Sequence, residues 1–175
     1  MRLTAANGLT AARLLAIGPS VWAISAGHWE FAGMLFTLAV LTDLLDGPLA
    51  RRLGQASAAG GLFDHLTDAL YVAACLAALA AAGYLNVWLP GLVLLAFVQY
   101  LLDSRALAGA ELRTSLLGRY NGIAYFVLVG IPVIREALGL SWPADVWIAS
   151  LGWLLLTSTL ISMADRALAL IRRYR

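Results

Sequence analysis

The sequence predicts an all-α integral membrane protein with six transmembrane helices. Three observations carry that expectation. Of its 175 residues, 62% are hydrophobic and only 13% charged, with a mean hydropathy of +0.83. A water-soluble domain of this length carries far more polar surface. The apolar residues fall into runs of about 20, the length that an α-helix needs to cross a bilayer core. The arginines gather at alternate ends of those runs, as they do when successive helices cross in opposite directions.

Taken in order, the first span runs from Leu9 to Ala26 and the second from Phe31 to Leu53. Gly54 to Ser57 form a short connection, and an alanine-rich third span covers Ala58 to Ala82. The fourth runs from Val87 to Leu107, followed by a polar connection from Ala108 to Thr114. The fifth covers Ser115 to Ala137 and the sixth Ala144 to Ile171. No repeat or linker divides the chain, so residues 1–175 read as one domain. The N-terminus shows no small-residue cleavage site behind a short apolar core, so no cleaved signal peptide is expected.

All twelve basic residues are arginine. Eleven of them lie at or near one side of the predicted spans, and Arg135 lies on the other. The positive-inside rule therefore expects both termini on the cytoplasmic side of the inner membrane. Trp29, Trp88, Trp142 and Trp147 sit near the opposite ends, where tryptophan favours the headgroup level. The net charge of +2 and the absence of a basic run with interleaved aromatics argue against a nucleic-acid partner. Cys75 stands alone in an apolar run, which reads as packing.

The stretch Asp43 to Asp68 is the exception to this apolar pattern. It holds four of the ten acidic residues. Carboxylates near lipid are costly and usually functional. Asp43 and Asp46 share a helix face, with Gly47 and Ala50 one and two turns further on. Asp64 and Asp68 share another face, with Gly60 one turn earlier. Two such faces make a small acidic pocket beside residues with almost no side chain. Clustered carboxylates repel one another, and hard divalent cations relieve that repulsion; oxygen-only ligation suits Mg2+ or Mn2+. His65 points about 100° away from Asp64 on a helix and reads as packing, or as support behind the ligands, rather than as a ligand. Pro48 is expected to loosen the second helix beside the pocket.

The stretch reads Asp43, Asp46, Gly47, Ala50, Arg51, Gly60, Asp64, Asp68. It resembles, with every spacing kept, the Asp-x2-Asp-Gly-x2-Ala-Arg-x8-Gly-x3-Asp-x3-Asp signature of the CDP-alcohol phosphatidyltransferase family. The resemblance implies that family's six-helix membrane fold and its reaction. A phosphatidyl group would pass from CDP-diacylglycerol to an alcohol, with release of CMP. It implies a two-metal site at Asp43, Asp46, Asp64 and Asp68, with Asp68 also the catalytic base. It further implies a CDP-binding face at Asp43, Gly47, Ala50, Arg51 and Gly60.

Arg105, Arg113, Arg119 and Arg166 lie at the same ends of other helices and are the candidate acceptor-binding residues, with positive-inside anchoring as their plain alternative. The opening Asn7, Thr10, Arg13 resembles the Asn-x-Leu-Thr-x-x-Arg start of members that use glycerol 3-phosphate or phosphatidylglycerol. Gly118-Arg119 stands where glycerophosphate-using members often have Gly-Lys followed by a threonine; here Tyr120, Asn121 and Gly122 follow. Glycerol 3-phosphate is the expected acceptor, with phosphatidylglycerol, an inositol phosphate or serine as alternatives. The expected partners are CDP-diacylglycerol, the acceptor, the bilayer and a second copy of the chain. The pair Gly118 and Gly122, spaced for close helix packing, and the small-residue third span are candidate contacts. Outside this family, intramembrane acids also suit a divalent-cation carrier, and a silent scaffold is a third reading. The carrier has no use for the motif's glycine, alanine and arginine.

Overall fold

The computed structural model describes residues 5–104 and 116–173. Six α-helices account for most of them: α1 (Ala5–Ser25), α2 (Trp29–Arg52), α3 (Ala58–Ala81), α4 (Leu89–Ser104), α5 (Leu116–Ala137) and α6 (Asp145–Arg173). Apart from α4, each contains a stretch long and apolar enough to cross a membrane. The 24 residues of α2 span about 36 Å at 1.5 Å per residue, more than the roughly 30 Å of a hydrocarbon core. The described part of α4 has 16 residues, because the expected continuation toward Leu107 lies outside the described residues.

The helices are joined by tight turns. Gly27 and Gly83, at φ of 71° and 90°, take the left-handed conformation just after α1 and α3, where a side chain would be strained. At the start of α3, the Ser57 hydroxyl accepts a 3.0 Å hydrogen bond from the Gly60 amide. That bond satisfies one donor of the helix N-terminus.

Helix α3 lies at the centre. It packs against α1, α4 and α5, while α2 joins α1 to α5 and α6 closes against α4 and α5. The core is built from α3 residues such as Tyr71, Leu76 and Leu79, with Leu128, Val129 and Val133 of α5 against them. Ala73, Cys75, Ala78 and Ala80 are buried in the same core. These four small residues of α3 thus serve packing within the chain, while Ala58, Ala59, Ala77 and Ala81 are exposed. Leu15, Met34, Leu38, Leu95, Leu154 and Ile161 are exposed instead. A soluble protein seldom leaves so much large apolar surface uncovered; a bilayer covers it.

Hydroxyls on the outer faces bond to their own helix. Thr37 donates to the Gly33 carbonyl at 2.8 Å, Ser150 to Val146 at 2.7 Å and Thr157 to Trp153 at 3.0 Å. None of the three needs water.

Close helix contact occurs elsewhere than the glycine spacing suggests. A β-carbon on Gly122 would meet nothing within 4 Å, so this position is not a tight packing point. Gly130 is one. A β-carbon there would come within 2.7 Å of the Phe36 ring. Spacing alone does not say which face of α5 meets a neighbour. Helix α2 continues through Pro48 to Arg52, as the expected second span does.

At the end remote from the acid cluster, Arg135 is buried. It donates to the Pro143 carbonyl at 2.7 Å and pairs with Glu136 and Asp145, both at 2.6 Å. Its guanidinium also lies 5.5 Å from the Tyr84 ring centre. The one arginine that breaks the charge asymmetry is therefore paired with two acids.

Candidate active site

Asp43 and Asp46 project from the C-terminal half of α2, and Asp64 and Asp68 from the N-terminal half of α3. The short connection through residues 53–57 and a shared neighbour, α1, bring the two acidic faces together. An oxygen from each of Asp43, Asp46 and Asp64 lies within 4.8 Å of the others. The packing of α1 against both helices then inserts a side chain between them.

That side chain is Arg13, whose guanidinium is fully buried. Nη1 lies 3.2 Å from Asp43, 3.0 Å from Asp64, and in hydrogen-bond contact with Asp68. Nη2 donates to Asp46 at 2.8 Å. One turn earlier, the Thr10 hydroxyl donates to the same Asp46 oxygen at 3.3 Å. Asp46 is the most enclosed of the four carboxylates, with 6% of its side chain exposed, against 35% for Asp43. Thr10 and Arg13 of the α1 opening thus face the acid cluster, whereas the family resemblance tied that opening to the acceptor. Asn7 belongs to the same assembly. A β-carbon on Gly60 would lie 3.1 Å from Ser57 Oγ and 3.4 Å from Asn7 Oδ1, so a small residue lets the starts of α1 and α3 meet.

His65 lies beside the acid cluster. One of its ring nitrogens lies within 4.8 Å of carboxylate oxygens from Asp64 and Asp68. Its place three residues before Asp68 puts it on that residue's face, which matters more than the offset from Asp64. Its ring meets Tyr100 edge-on at 6.3 Å. Gly47 lies beside Arg51; a β-carbon there would be 3.6 Å from the Arg51 guanidinium, an ordinary contact. Ala50 is half-buried and Arg51 exposed on the last turns of α2.

The donor set suits a divalent cation. Four carboxylates gather round one guanidinium, which stands in as a cation of charge +1 and leaves the cluster with an excess of negative charge. Hard oxygen donors at these separations match Mg2+ or Mn2+ chemistry. The grouped ligands are carboxylates and one imidazole, with no cysteine among them to favour a softer ion.

Asp43, Asp68 and His65 also line one end of a cavity of about 330 Å³ between α3, α4, α5 and α6. Arg119, near the start of α5, and Arg166, on α6, line the same cavity. The Arg166 guanidinium stacks over the Tyr100 ring at 4.9 Å. Arg105 and Arg113 lie outside the described residues. Sequence reasoning missed Gln99, Tyr100 and Asn121 in this lining, because lone polar residues in apolar spans carry no spacing signal.

The chain is 38% identical over 102 residues to a cardiolipin synthase (CMP-forming) of Streptomyces coelicolor, a match covering 54% of this chain and 46% of that protein. It is 32% identical over 143 residues to a CDP-diacylglycerol–glycerol-3-phosphate 3-phosphatidyltransferase of Cereibacter sphaeroides, covering 79% of this chain and 62% of the relative. A second such transferase, from Pseudomonas fluorescens, is 41% identical over 64 residues, which is 35% of this chain and 32% of that protein. The chain thus spans less than two thirds of the length of each of these relatives. The pattern of the CDP-alcohol phosphatidyltransferase family matches residues 3–164, taking in the α1 opening, the acid cluster and the cavity lining apart from Arg166. With nearly the whole chain matched and the eight signature positions held on α2 and α3 around the Arg13 side chain of α1, the chain belongs to the CDP-alcohol phosphatidyltransferase family.

Proposed function

We propose that the protein transfers a phosphatidyl group from CDP-diacylglycerol to the hydroxyl of a phosphate-bearing alcohol, glycerol 3-phosphate first, and releases CMP. The observation that carries this reading is the shared space. Four carboxylates surround the Arg13 guanidinium, and two of them open onto a cavity that also holds Arg119 and Arg166.

In this reading Asp43, Asp46, Asp64 and Asp68 hold Mg2+ or Mn2+, with His65 close by. The bound metal would neutralise the donor's pyrophosphate and the charge that develops on it. Gly47 and Ala50 leave the α2 backbone open to the cytidine, and Arg51 donates hydrogen bonds to a nucleotide phosphate. Gly60 keeps the starts of α1 and α3 together at the same end. Arg119 and Arg166 hold the acceptor's phosphate, with Arg105 and Arg113 as further candidates. Asp68 takes the proton from the acceptor hydroxyl. The freed oxygen bonds to the phosphatidyl phosphorus, the bond from that phosphorus to the bridging oxygen breaks, and CMP departs with the electron pair.

Orientation belongs to the same proposal. Arg13, Arg51, Arg52, Arg119 and Arg166 all lie at the end of the bundle that carries the acids. That end is assigned to the cytoplasm, where CMP is released and a soluble acceptor enters. The bilayer supplies the donor from the side.

The test is CMP release by purified protein from CDP-diacylglycerol and glycerol 3-phosphate. Turnover is expected with Mg2+ or Mn2+ and none in chelator. Asp68→Asn is expected to slow turnover by about 10²–10⁴-fold with donor affinity largely kept. Full activity in chelator removes the metal role, and near-normal turnover by folded Asp68→Asn removes the base role.

A further inference from the structure

The acid cluster contains two groups of ligand atoms, and they are chemically unlike. Asp43, Asp46 and Asp64 offer carboxylate oxygens only. Asp64, Asp68 and His65 offer two carboxylates and an imidazole nitrogen, with one ligand atom from each within 4.8 Å of the others. Donors that share one ion at about 2.0–2.2 Å lie roughly 2.8–4.4 Å apart, so either group can close on a cation through small side-chain shifts. Asp64 belongs to both groups, so two neighbouring positions would share its carboxylate.

Helix geometry explains how His65 enters the second group. At about 100° per residue, Asp68 falls between Asp64 and His65 on the α3 surface, about 40° from one and about 60° from the other. The family signature fixes Asp64 and Asp68 and leaves the residues between them open, so the imidazole is a feature of this chain. His65 is exposed and lines the cavity, so an ion can reach its ring. That ring packs edge-on against Tyr100 of α4 at 6.3 Å, and Tyr100 in turn lies under the Arg166 guanidinium at 4.9 Å. Asp64 and Asp68 are thus met by a guanidinium from α1 and by an imidazole that packs on α4.

A nitrogen among the ligands changes which ion fits. Mg2+ takes oxygen ligands and gives up its water reluctantly. Imidazole suits first-row transition ions better. We propose that His65 is a nitrogen ligand to the cation held by Asp64 and Asp68, and that it makes this position select a first-row transition ion such as Mn2+ over Mg2+. The oxygen-only position at Asp43, Asp46 and Asp64 accepts either ion. The proposal rests on the reading of the aspartates as metal ligands.

The experiment uses untagged protein in detergent, with Mg2+ in excess and less than one Mn2+ per chain. Pulsed electron paramagnetic resonance then reads whether nitrogen is bonded directly to the bound Mn2+. Mg2+ fills the oxygen-only position, so Mn2+ is expected beside His65, with an imidazole coupling that changes when the protein carries isotope-labelled histidine. The chain has two histidines, and His28 precedes α2, at the opposite end of that helix from Asp43 and Asp46. The coupling therefore reports His65. In calorimetric titrations, His65→Gln is expected to lower Mn2+ affinity by at least about tenfold and Mg2+ affinity much less, and to abolish the coupling. A histidine that only supports the ligands would also lower affinity, but without a direct nitrogen coupling.

Bound Mn2+ with no nitrogen coupling overturns the proposal and leaves the aspartates standing as metal ligands. So does displacement of all the Mn2+ by Mg2+, or a coupling that survives in His65→Gln. Equal loss of Mn2+ and Mg2+ affinity in His65→Gln overturns the selectivity. If His65→Gln does not fold, the wild-type spectra with and without labelled histidine decide alone. If neither ion binds wild type, the metal reading and this proposal fall together.

Discussion

Arg13 shows how one side chain can hold an acidic site together. Four carboxylates within a few ångströms of each other, partly shielded from water, repel strongly. The guanidinium reaches all four because its planar fork offers several donors at once. Arg13→Gln keeps much of the side chain's length and removes the charge. In chelator the variant is expected to lose stability, by up to about 3–5 kcal/mol, the range for breaking a buried ion pair; the partial exposure of Asp43 argues for the lower part. Mg2+ or Mn2+ is expected to restore most of the loss by supplying the missing positive charge, and the rise in melting temperature on adding metal should exceed that of wild type. Thermal melting in detergent, with and without chelator, checks this. An Arg13→Gln protein as stable as wild type in chelator would show that the carboxylates do not depend on Arg13.

The helices meet where their smallest and largest residues face one another. Gly130 of α5 accommodates the Phe36 ring of α2, and Phe36 is only 8% exposed, so the ring has little room to retreat. Gly130→Ala is therefore expected to destabilise the protein by about 1–3 kcal/mol through overpacking. Gly91→Ala, on α4, adds a β-carbon that meets nothing within 4 Å and should leave stability nearly unchanged. Shrinking the ring with Phe36→Leu should recover part of the Gly130→Ala loss, a non-additivity that a double-mutant cycle in melting experiments measures. Equal losses in Gly130→Ala and Gly91→Ala would contradict the packing account.

Across the molecule, the two ends of the bundle differ in how they treat charge. Arginines and acids concentrate at one end, while at the other Arg135 is paired with Glu136 and Asp145 and so contributes little to any asymmetry. Orientation is testable with single cysteines in a Cys75→Ala background. Gln55→Cys lies in the α2–α3 connection and Ser141→Cys in the α5–α6 connection, and both positions are exposed. In intact cells a membrane-impermeant maleimide should label Ser141→Cys directly and Gln55→Cys only after permeabilisation. The reverse pattern would invert the assigned topology and move the acid cluster away from the cytoplasm.

Much of this architecture was legible in the chain alone. Hydropathy runs mark the helices because a bilayer leaves a polar backbone no alternative to helical hydrogen bonding. The four aspartates stand out because charge is rare in such spans, and their spacings already place each pair on one helix face. What spacing cannot convey is which helix face meets which neighbour. Gly122, set in a promising pattern, faces open space, whereas Gly130, in no pattern, takes the Phe36 ring. Arg13 lies 30 residues before Asp43 and reaches the acids only because α1 packs against both α2 and α3. Asn121, Gln99 and Tyr100 are ordinary letters in apolar runs until α4, α5 and α6 close around one cavity. Local periodicity sets each helix and the face its acids share; the partners of a buried polar group depend on contacts between residues far apart in sequence, which only packing creates.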